Sequence, residues 1–134
     1  MAVQQDDVLG LRSPQDIVLA RQLARAWAVK AGFSLVDQTK IVTAASELAR
    51  NALIHGGGGE LRIELLQRGP RCGLQLTFSD QGPGIRDIEL AMTDGYTSAG
   101  GMGLGLGGSK RLMNEFSIDS KPGAGTRVTV VRWR

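Results

Sequence analysis

The sequence predicts an α+β fold, a two-layer sandwich in which helices lie on one face of a mixed, mostly antiparallel sheet. Two stretches with helical apolar spacing come first, within residues 14–54. Two alternating stretches follow, Leu61-Ile63-Leu65 and Leu74-Leu76-Phe78, joined by the short connection Gly69-Pro70-Arg71. A last helical pattern then leads into two terminal strands. Helices stacked on one face of such a sheet are the economical packing.

Taken in order, residues 1–13 show little apolar periodicity before Val8, Leu9 and Leu11, and are expected to be a leading segment with a short strand. Ser13-Pro14 has the form of an N-cap followed by proline at the first helical position. Ile17, Ala20, Leu23, Ala24, Trp27 and Ala31 keep helical spacing until Gly32 ends it. A second helix is expected from about Val36 to Ile54, burying Ile41, Ala44, Ala45, Leu48 and Ala52. The run Gly56-Gly57-Gly58-Gly59 cannot continue that helix and reads as a hinge or turn. Strands are expected over Glu60–Gln67 and Gly73–Ser79, each with one packed and one wet face. A short helix over Asp87–Met92 precedes a loop over residues 93–101. The last helix is expected over Leu104–Glu115 with Leu112, Met113 and Phe116 inward, then strands over Ser117–Ser120 and Thr126–Trp133.

The 134 residues suit one domain, 1–134, large enough to bury a core. The 16 basic and 13 acidic residues leave a net charge of +3, spread along the chain. The densest basic stretch, Arg127–Arg134, alternates with valines and reads as a solvated strand face rather than a nucleic-acid stripe. The single Cys72 excludes an internal disulfide and a cysteine metal cluster. No apolar run is long enough for a bilayer and Met1–Asp7 lacks a signal-peptide core, so a cytoplasmic protein with no membrane association is expected.

Three ordered segments carry chemistry. In the first, Glu47, Asn51 and His55 stand four residues apart and form a polar row on an otherwise apolar helix. On an isolated helix such a row would simply face solvent. Here Lys40 and Arg50 occupy other faces, and an amide with a carboxylate one turn away suits a Mg²⁺ ligand beside a base. His55 reads equally well as a helix-end residue on the dipole or as a ligand contact. In the second, Asp80 ends an apolar run and leads into Gln81-Gly82-Pro83-Gly84. A carboxylate there can accept from the adenine amino group, or can form an Asx-turn. In the third, Gly101-Met102-Gly103-Leu104-Gly105-Leu106-Gly107 runs into a helix, as a phosphate cradle or a hinge. It is not a Walker loop, lacking Gly-Lys-Ser/Thr, and no strand precedes it with Rossmann spacing. Lys110, just beyond, could reach a phosphate or cover its own helix.

Together these residues resemble the N box and two glycine boxes of the GHKL ATPase superfamily (gyrase, Hsp90, histidine kinase, MutL), with Gly125-Thr126 similar to its closing Gly-Thr element. The resemblance spans about residues 14–134 and implies the ATP-binding Bergerat fold. Asp16-Ile17-Val18, Asp94-Gly95-Tyr96 and Lys110–Phe116 look most like the switch serine/threonine kinases of bacterial partner switching, kin of the anti-sigma kinases. The resemblance implies Glu47 as general base, Asn51 as Mg²⁺ ligand and Asp80 as adenine reader. It implies a nucleotide site of Asn51, Asp80, Gly82, Gly84, Ile85, Thr97, Ser98, Gly101, Gly103, Leu104, Gly105 and Thr126, with residues 93–101 as the ATP lid. The implied cofactors are ATP and Mg²⁺. The implied reaction is γ-phosphoryl transfer to a serine or threonine of a STAS-domain protein, with activation of a PP2C-type phosphatase by binding as a second role. A homodimer is left open, and the alternative is an anti-sigma factor that sequesters its sigma factor according to nucleotide.

One departure stands out: the anti-sigma kinases carry a lid arginine, yet residues 87–109 contain no Lys or Arg. Either Lys110 or Arg111 replaces it, or Mg²⁺ and backbone amides carry the charge, or turnover is slow. A sensor histidine kinase would need its own phospho-acceptor histidine, whereas His55 lies inside the N box. A gyrase-like motor would need a transducer domain, and none is expected.

Overall fold

The computed structural model describes residues 2–85, 88–92 and 106–134, with the backbone alone at residues 2–4, 89 and 90. In chain order the elements are β1 (Ala2–Leu11), α1 (Pro14–Lys30), α2 (Leu35–Ile54), β2 (Gly59–Arg68), β3 (Arg71–Asp80), α3 (Ile88–Ala91), α4 (Leu106–Leu112), β4 (Glu115–Ser120) and β5 (Thr126–Trp133). The strands form one sheet in the order β1-β2-β3-β5-β4. All four of its ladders are antiparallel, the limiting case of the mostly antiparallel sheet expected.

The start of α1 is held by the Asp16 carboxylate, which accepts from the backbone N–H groups of Arg12 and Ser13 at 2.8 and 3.1 Å. This satisfies donors that a helix N-terminus otherwise leaves unpaired. The helix ends in a Schellman pattern, with Phe33 N–H donating to the Ala28 carbonyl and Gly32 N–H to that of Val29, both at 3.0 Å. Ser34 Oγ then accepts from Asp37 N–H at 3.2 Å and starts α2. The chain therefore reverses in a few residues, and the two helices lie side by side.

The helices bury Ala20, Ala24, Ala28, Ile41, Ala44, Ala45, Leu48, Ala49 and Ala52 against Leu61, Ile63, Leu74, Leu76 and Phe78 of the sheet. The register pairs Leu61 with Phe78 and Ile63 with Leu76, so residues of one parity share the covered face. The C-terminus of α2 thus reaches the strand ends where β3 stops.

The structure alters four local expectations. The leading strand is not short: β1 runs ten residues, because it pairs along β2 from Leu11 with Gly59 to Ala2 with Gln67. The last helix stops at Leu112, and Glu115 and Phe116 belong to β4, where Phe116 pairs with Val130. The cause is Asn114, whose N–H donates to the Val131 carbonyl while its Oδ1 accepts from Trp133 N–H. Those sheet-directed bonds take the chain out of the helix. The basic tail is not a uniformly solvated face either. Arg132 is half-buried, donating to the Leu112 carbonyl at 3.1 Å and to the Asp37 carboxylate at 2.9 Å. Nor is the far face of the sheet wet throughout: Leu66, Val131 and Trp133 form a second buried cluster there. The guanidinium carbons of Arg68 and Arg71 lie 4.9 and 5.2 Å from the Trp133 ring centre, a cation–π arrangement.

Leu76 is fully buried, whereas Leu35 is 72% exposed. Leu76→Ala should therefore cost about 2–5 kcal/mol of unfolding free energy. Leu35→Ala should stay within about 0.5 kcal/mol. Urea denaturation measures both, and equal losses would remove Leu76 from the core.

Candidate nucleotide-binding site

The end of α2, the end of β3 and the start of β5 line a cleft open to solvent. Its walls are Leu48, Asn51, Ala52, His55 and Gly56 from α2 and the turn after it, Phe78 and Asp80 from β3, Gly84 and Ile85 from the following turn, Leu106 from α4, and Thr126 and Val128 from β5. Helical spacing puts Leu48, Asn51, Ala52 and His55 on one side of α2. Strand alternation puts Phe78 and Asp80 on the same side of β3. The result is an apolar slot with a carboxylate, an amide and an imidazole at its edge. Planar heterocycles with a few polar atoms occupy slots of this kind.

Asp80 Oδ1 accepts from Gly82 N–H at 2.9 Å, so the Asx-turn is formed, and the same carboxylate still faces the cleft. Burial pushes its pKa above the ordinary carboxylate range, against the pull of the Gly82 and Thr126 N–H groups and of nearby His55. His55 moves the other way: burial lowers its pKa, with Asp80 opposing, so the imidazole is neutral at neutral pH. Its Nε2 is buried with no hydrogen-bond partner among the described residues. His55 is at once the C-cap of α2 and part of the cleft lining.

Asn51 lines the cleft as expected. Glu47 sits one turn earlier on α2, half-exposed and outside the cleft lining, with its carboxylate 3.2 Å from Arg50. Gly84, Ile85 and Thr126 line the cleft; Gly82 does not, and bears on it only through its N–H, which donates to Asp80. Ile85 N–H donates to Ser120 Oγ at 2.8 Å, and Ser120 Oγ lies 2.8 Å from Thr126 Oγ1. Gly84 has φ of +79°, and a Cβ there would stand 2.1 Å from the Lys121 carbonyl oxygen. Its glycine is therefore required by packing against the β4–β5 turn. Thr97, Ser98, Gly101, Gly103, Leu104, Gly105 and the rest of the expected lid at 93–101 lie outside the described residues.

The sequence reading missed most of the apolar wall. In the sequence Leu48 and Ala52 read as core, Phe78 and Val128 as sheet, and Gly56 as hinge or turn, yet all face the cleft. The available signal was spacing: each lies within one helical turn or one strand repeat of a recognised residue. Ser120, which ties Ile85 to Thr126, carried no signal of its own. Among the described residues no group of three or more His, Cys, Asp or Glu gathers to hold a metal ion. A Mg²⁺ ion at Asn51 would draw its remaining ligands from phosphates and water, the usual pattern for that ion.

A family model described as histidine kinase-, DNA gyrase B- and HSP90-like ATPase matches residues 36–134, and the chain belongs to that family. It is 49% identical over 118 residues to the serine/threonine-protein kinase RsbT of Bacillus subtilis (strain 168), covering 88% of this chain and 89% of that one. An anti-sigma F factor of Thermoanaerobacter sp. (strain X514) is 30% identical, with 92% and 89% covered. Among solved structures, the RsbU and RsbW domains of a Mycobacterium tuberculosis protein match with TM-score 0.63 at 20% identity, over 98% of this chain but only 33% of that longer one. The catalytic domain of histidine kinase ThkA matches with TM-score 0.54 at 16% identity, over 96% and 95%. These structural likenesses bear on the fold alone, and they agree with the α+β Bergerat architecture.

Asp80→Asn should weaken ATP binding, because the amide can turn a donor toward the adenine amino group. Titration calorimetry giving equal affinity would reject the contact. Because the folded carboxyl pKa is raised, Asp80's contribution to stability is fully present below its unfolded pKa and is lost as pH rises through the folded value. The variant without nucleotide should therefore gain on the wild type between about pH 4 and pH 7. Thermal melts at both pH values read the sign. Asn51→Ala should abolish the Mg²⁺-dependent part of ATP affinity, and an undiminished Mg²⁺ effect would refute its ligand role.

Proposed function

We propose that the protein is an ATP-dependent serine/threonine protein kinase of a bacterial partner-switching pathway of the stressosome type. The substrate would be a serine or threonine hydroxyl of a STAS-domain protein. What carries the reading is the convergence of Asn51 and Asp80 on one apolar cleft, in a chain 49% identical to a serine/threonine-protein kinase. Activation of a PP2C-type phosphatase by direct binding belongs to the same reading. So does a location in the cytoplasm, consistent with the absence of any described helix long and apolar enough to cross a membrane.

In this reading Asp80 accepts from the adenine amino group and the Leu48, Ala52, Phe78 and Val128 side chains hold the ring. Asn51 would hold Mg²⁺ against the phosphates; the ion, when bound, neutralises their charge and aligns the γ-phosphoryl group. The acceptor hydroxyl oxygen forms a bond to the γ-phosphorus as the bond to the β–γ bridging oxygen breaks. ADP leaves, and the hydroxyl proton passes to the Glu47 carboxylate. Glu47 lies 3.2 Å from Arg50 on α2, and with Glu47 as base the acceptor protein would approach that side of the helix. Transfer of this kind depends on positioning and charge neutralisation more than on covalent enzyme chemistry.

The second reading, a nucleotide-dependent anti-sigma factor, draws on the 30% identity to an anti-sigma F factor. The absence of any Lys or Arg in residues 87–109 favours the switch kinase over it.

The decisive experiment is transfer of labelled γ-phosphate from Mg-ATP to the STAS-domain protein encoded beside this gene. Label on a Ser or Thr is expected, with Glu47→Ala abolishing transfer and leaving ATP binding largely intact. Unchanged transfer in the mutant removes Glu47 as base. No label despite measurable ATP binding would make the protein a nucleotide-gated binding module.

A further inference from the structure

The first of the four consecutive glycines does not behave as a hinge. A Cβ built on Gly56 would stand 2.3 Å from Asp80 Cγ, 2.5 Å from Asp80 Cβ and 2.6 Å from the Ala52 carbonyl oxygen. Real Cβ atoms do not approach other heavy atoms so closely, and backbone carbonyls cannot yield cheaply. On its other side, a Cβ on Gly82 would stand 2.6 Å from the Gly56 Cα. Gly56 is thus the layer between the last turn of α2 and the Asp80–Gly82 turn, and it is one atom thick. By contrast, a Cβ at Gly57 would meet nothing within 4 Å. The Gly56 φ is outside the left-handed region, so its glycine answers a need for space and not for torsion.

The side chain pressed against Gly56 is the one that lines the cleft as its carboxylate. Asp80 is held by Gly82 N–H at one oxygen and by Gly56 along its Cβ–Cγ bond. A methyl group at 56 must rotate that carboxylate or lift the end of α2, and either movement shifts Asp80 relative to Asn51 and His55. We propose that Gly56 is a positioning residue for nucleotide recognition. Its missing side chain lets Asp80 seat against the end of α2 in the one orientation that reads an adenine amino group. The inference rests on the reading of Asp80 as the base-contacting carboxylate. It extends that reading to a residue outside both glycine boxes, and it predicts a loss of base discrimination as well as of affinity.

The test is titration of ATP and GTP against the full chain carrying Gly56→Ala, Asp80→Ala, both together, or Gly10→Ala as control. A Cβ at Gly10, on β1, meets only Arg12 Nε at 3.7 Å. Gly56→Ala should lower ATP affinity by about tenfold or more, the loss of a hydrogen bond to a charged acceptor, while GTP affinity changes little. The double variant should bind ATP within about twofold of Asp80→Ala alone, because no carboxylate remains to misplace. Gly10→Ala should bind as the wild type does. Unchanged ATP affinity in Gly56→Ala, or losses that add in the double variant, would overturn the proposal. If Gly56→Ala alone fails to fold by circular dichroism, Gly56→Ala/Asp80→Gly, which removes the two Asp80 atoms from the overlap and leaves that with the Ala52 carbonyl oxygen, should regain part of the cooperative melt. Failure to regain it counts against the proposal equally. A wild-type chain that binds no ATP defeats the functional reading itself. Binding that depends on Asp80 but not on Gly56 defeats this inference alone.

Discussion

The close approach of the end of α2 to the end of β3 is the contact on which the rest of the cleft depends. Four of the six buried residues of α2 are alanines (Ala44, Ala45, Ala49 and Ala52), so the helix can lie close to the sheet without losing helix propensity. Ile41 and Leu48 supply the volume that a strip of alanines lacks. Gly56 then continues the approach for one more residue beyond the helix. A bulkier face on α2 would move Asn51 and His55 away from Asp80. The three polar groups at the edge of the cleft share it because the apolar layer beneath them is thin.

The electrostatics follow from that geometry. The Arg50–Glu47 and Arg62–Asp6 pairs are both substantially exposed, and such pairs contribute about 0–1 kcal/mol. They do not hold the fold together. The Arg132–Asp37 pair is less exposed, at 17% and 29%, and links the start of α2 to β5 while the same guanidinium reaches the end of α4. Arg132 Nε has no partner among the described residues, a cost accepted where the other nitrogens join three elements. The helix α2 is therefore anchored polar at its start and packed by absence of side chains at its end. Asp80 pays in desolvation for its place there, and two backbone N–H groups with His55 offset part of it.

Much of this was legible in the residues. Periodicity located α1, α2, β2, β3 and β5 to within a residue or two, because caps and glycines mark their ends: Ser13-Pro14, Gly32 and the connection at 69–71. The polar positions Asn51 and Asp80 were legible because they interrupt apolar patterns. What failed were features that depend on a distant partner. Phe116 has the spacing to end a helix, yet Asn114 finds its hydrogen bonds across the sheet on β5. Arg132 alternates with valines like a solvated residue, yet Asp37, far away in sequence, draws it inward. Gly56 was read with its three neighbours as a turn, and nothing local separates a glycine chosen for torsion from one chosen for space. The apolar wall of the cleft was invisible for a related reason: Phe78 and Val128 pack like core whether or not a ligand covers them.

In the proposed reading, Asp80 and the apolar walls meet the base while Asn51 serves the phosphate end, and this sets how binding and catalysis divide. Asp80, His55 and the apolar walls lie where a heterocycle would sit. Contacts to adenine are remote from the reacting phosphorus, so they are made equally in the bound state and in the transition state. Such contacts lower KM and leave kcat nearly unchanged. Glu47, outside the cleft lining and half-exposed, has the opposite placement: it can meet an incoming hydroxyl and contributes nothing to the base. Loss of Asp80 or displacement of its carboxylate should then appear in KM, and loss of Glu47 in kcat. Under the same reading, the absence of Lys and Arg across residues 87–109 leaves the phosphate charge to Mg²⁺, to backbone amides or to the flanking Lys110 and Arg111. A kinase that meets the base on one side of the cleft and its acceptor beside α2 on the other would hold ATP while idle and act only when its substrate docks.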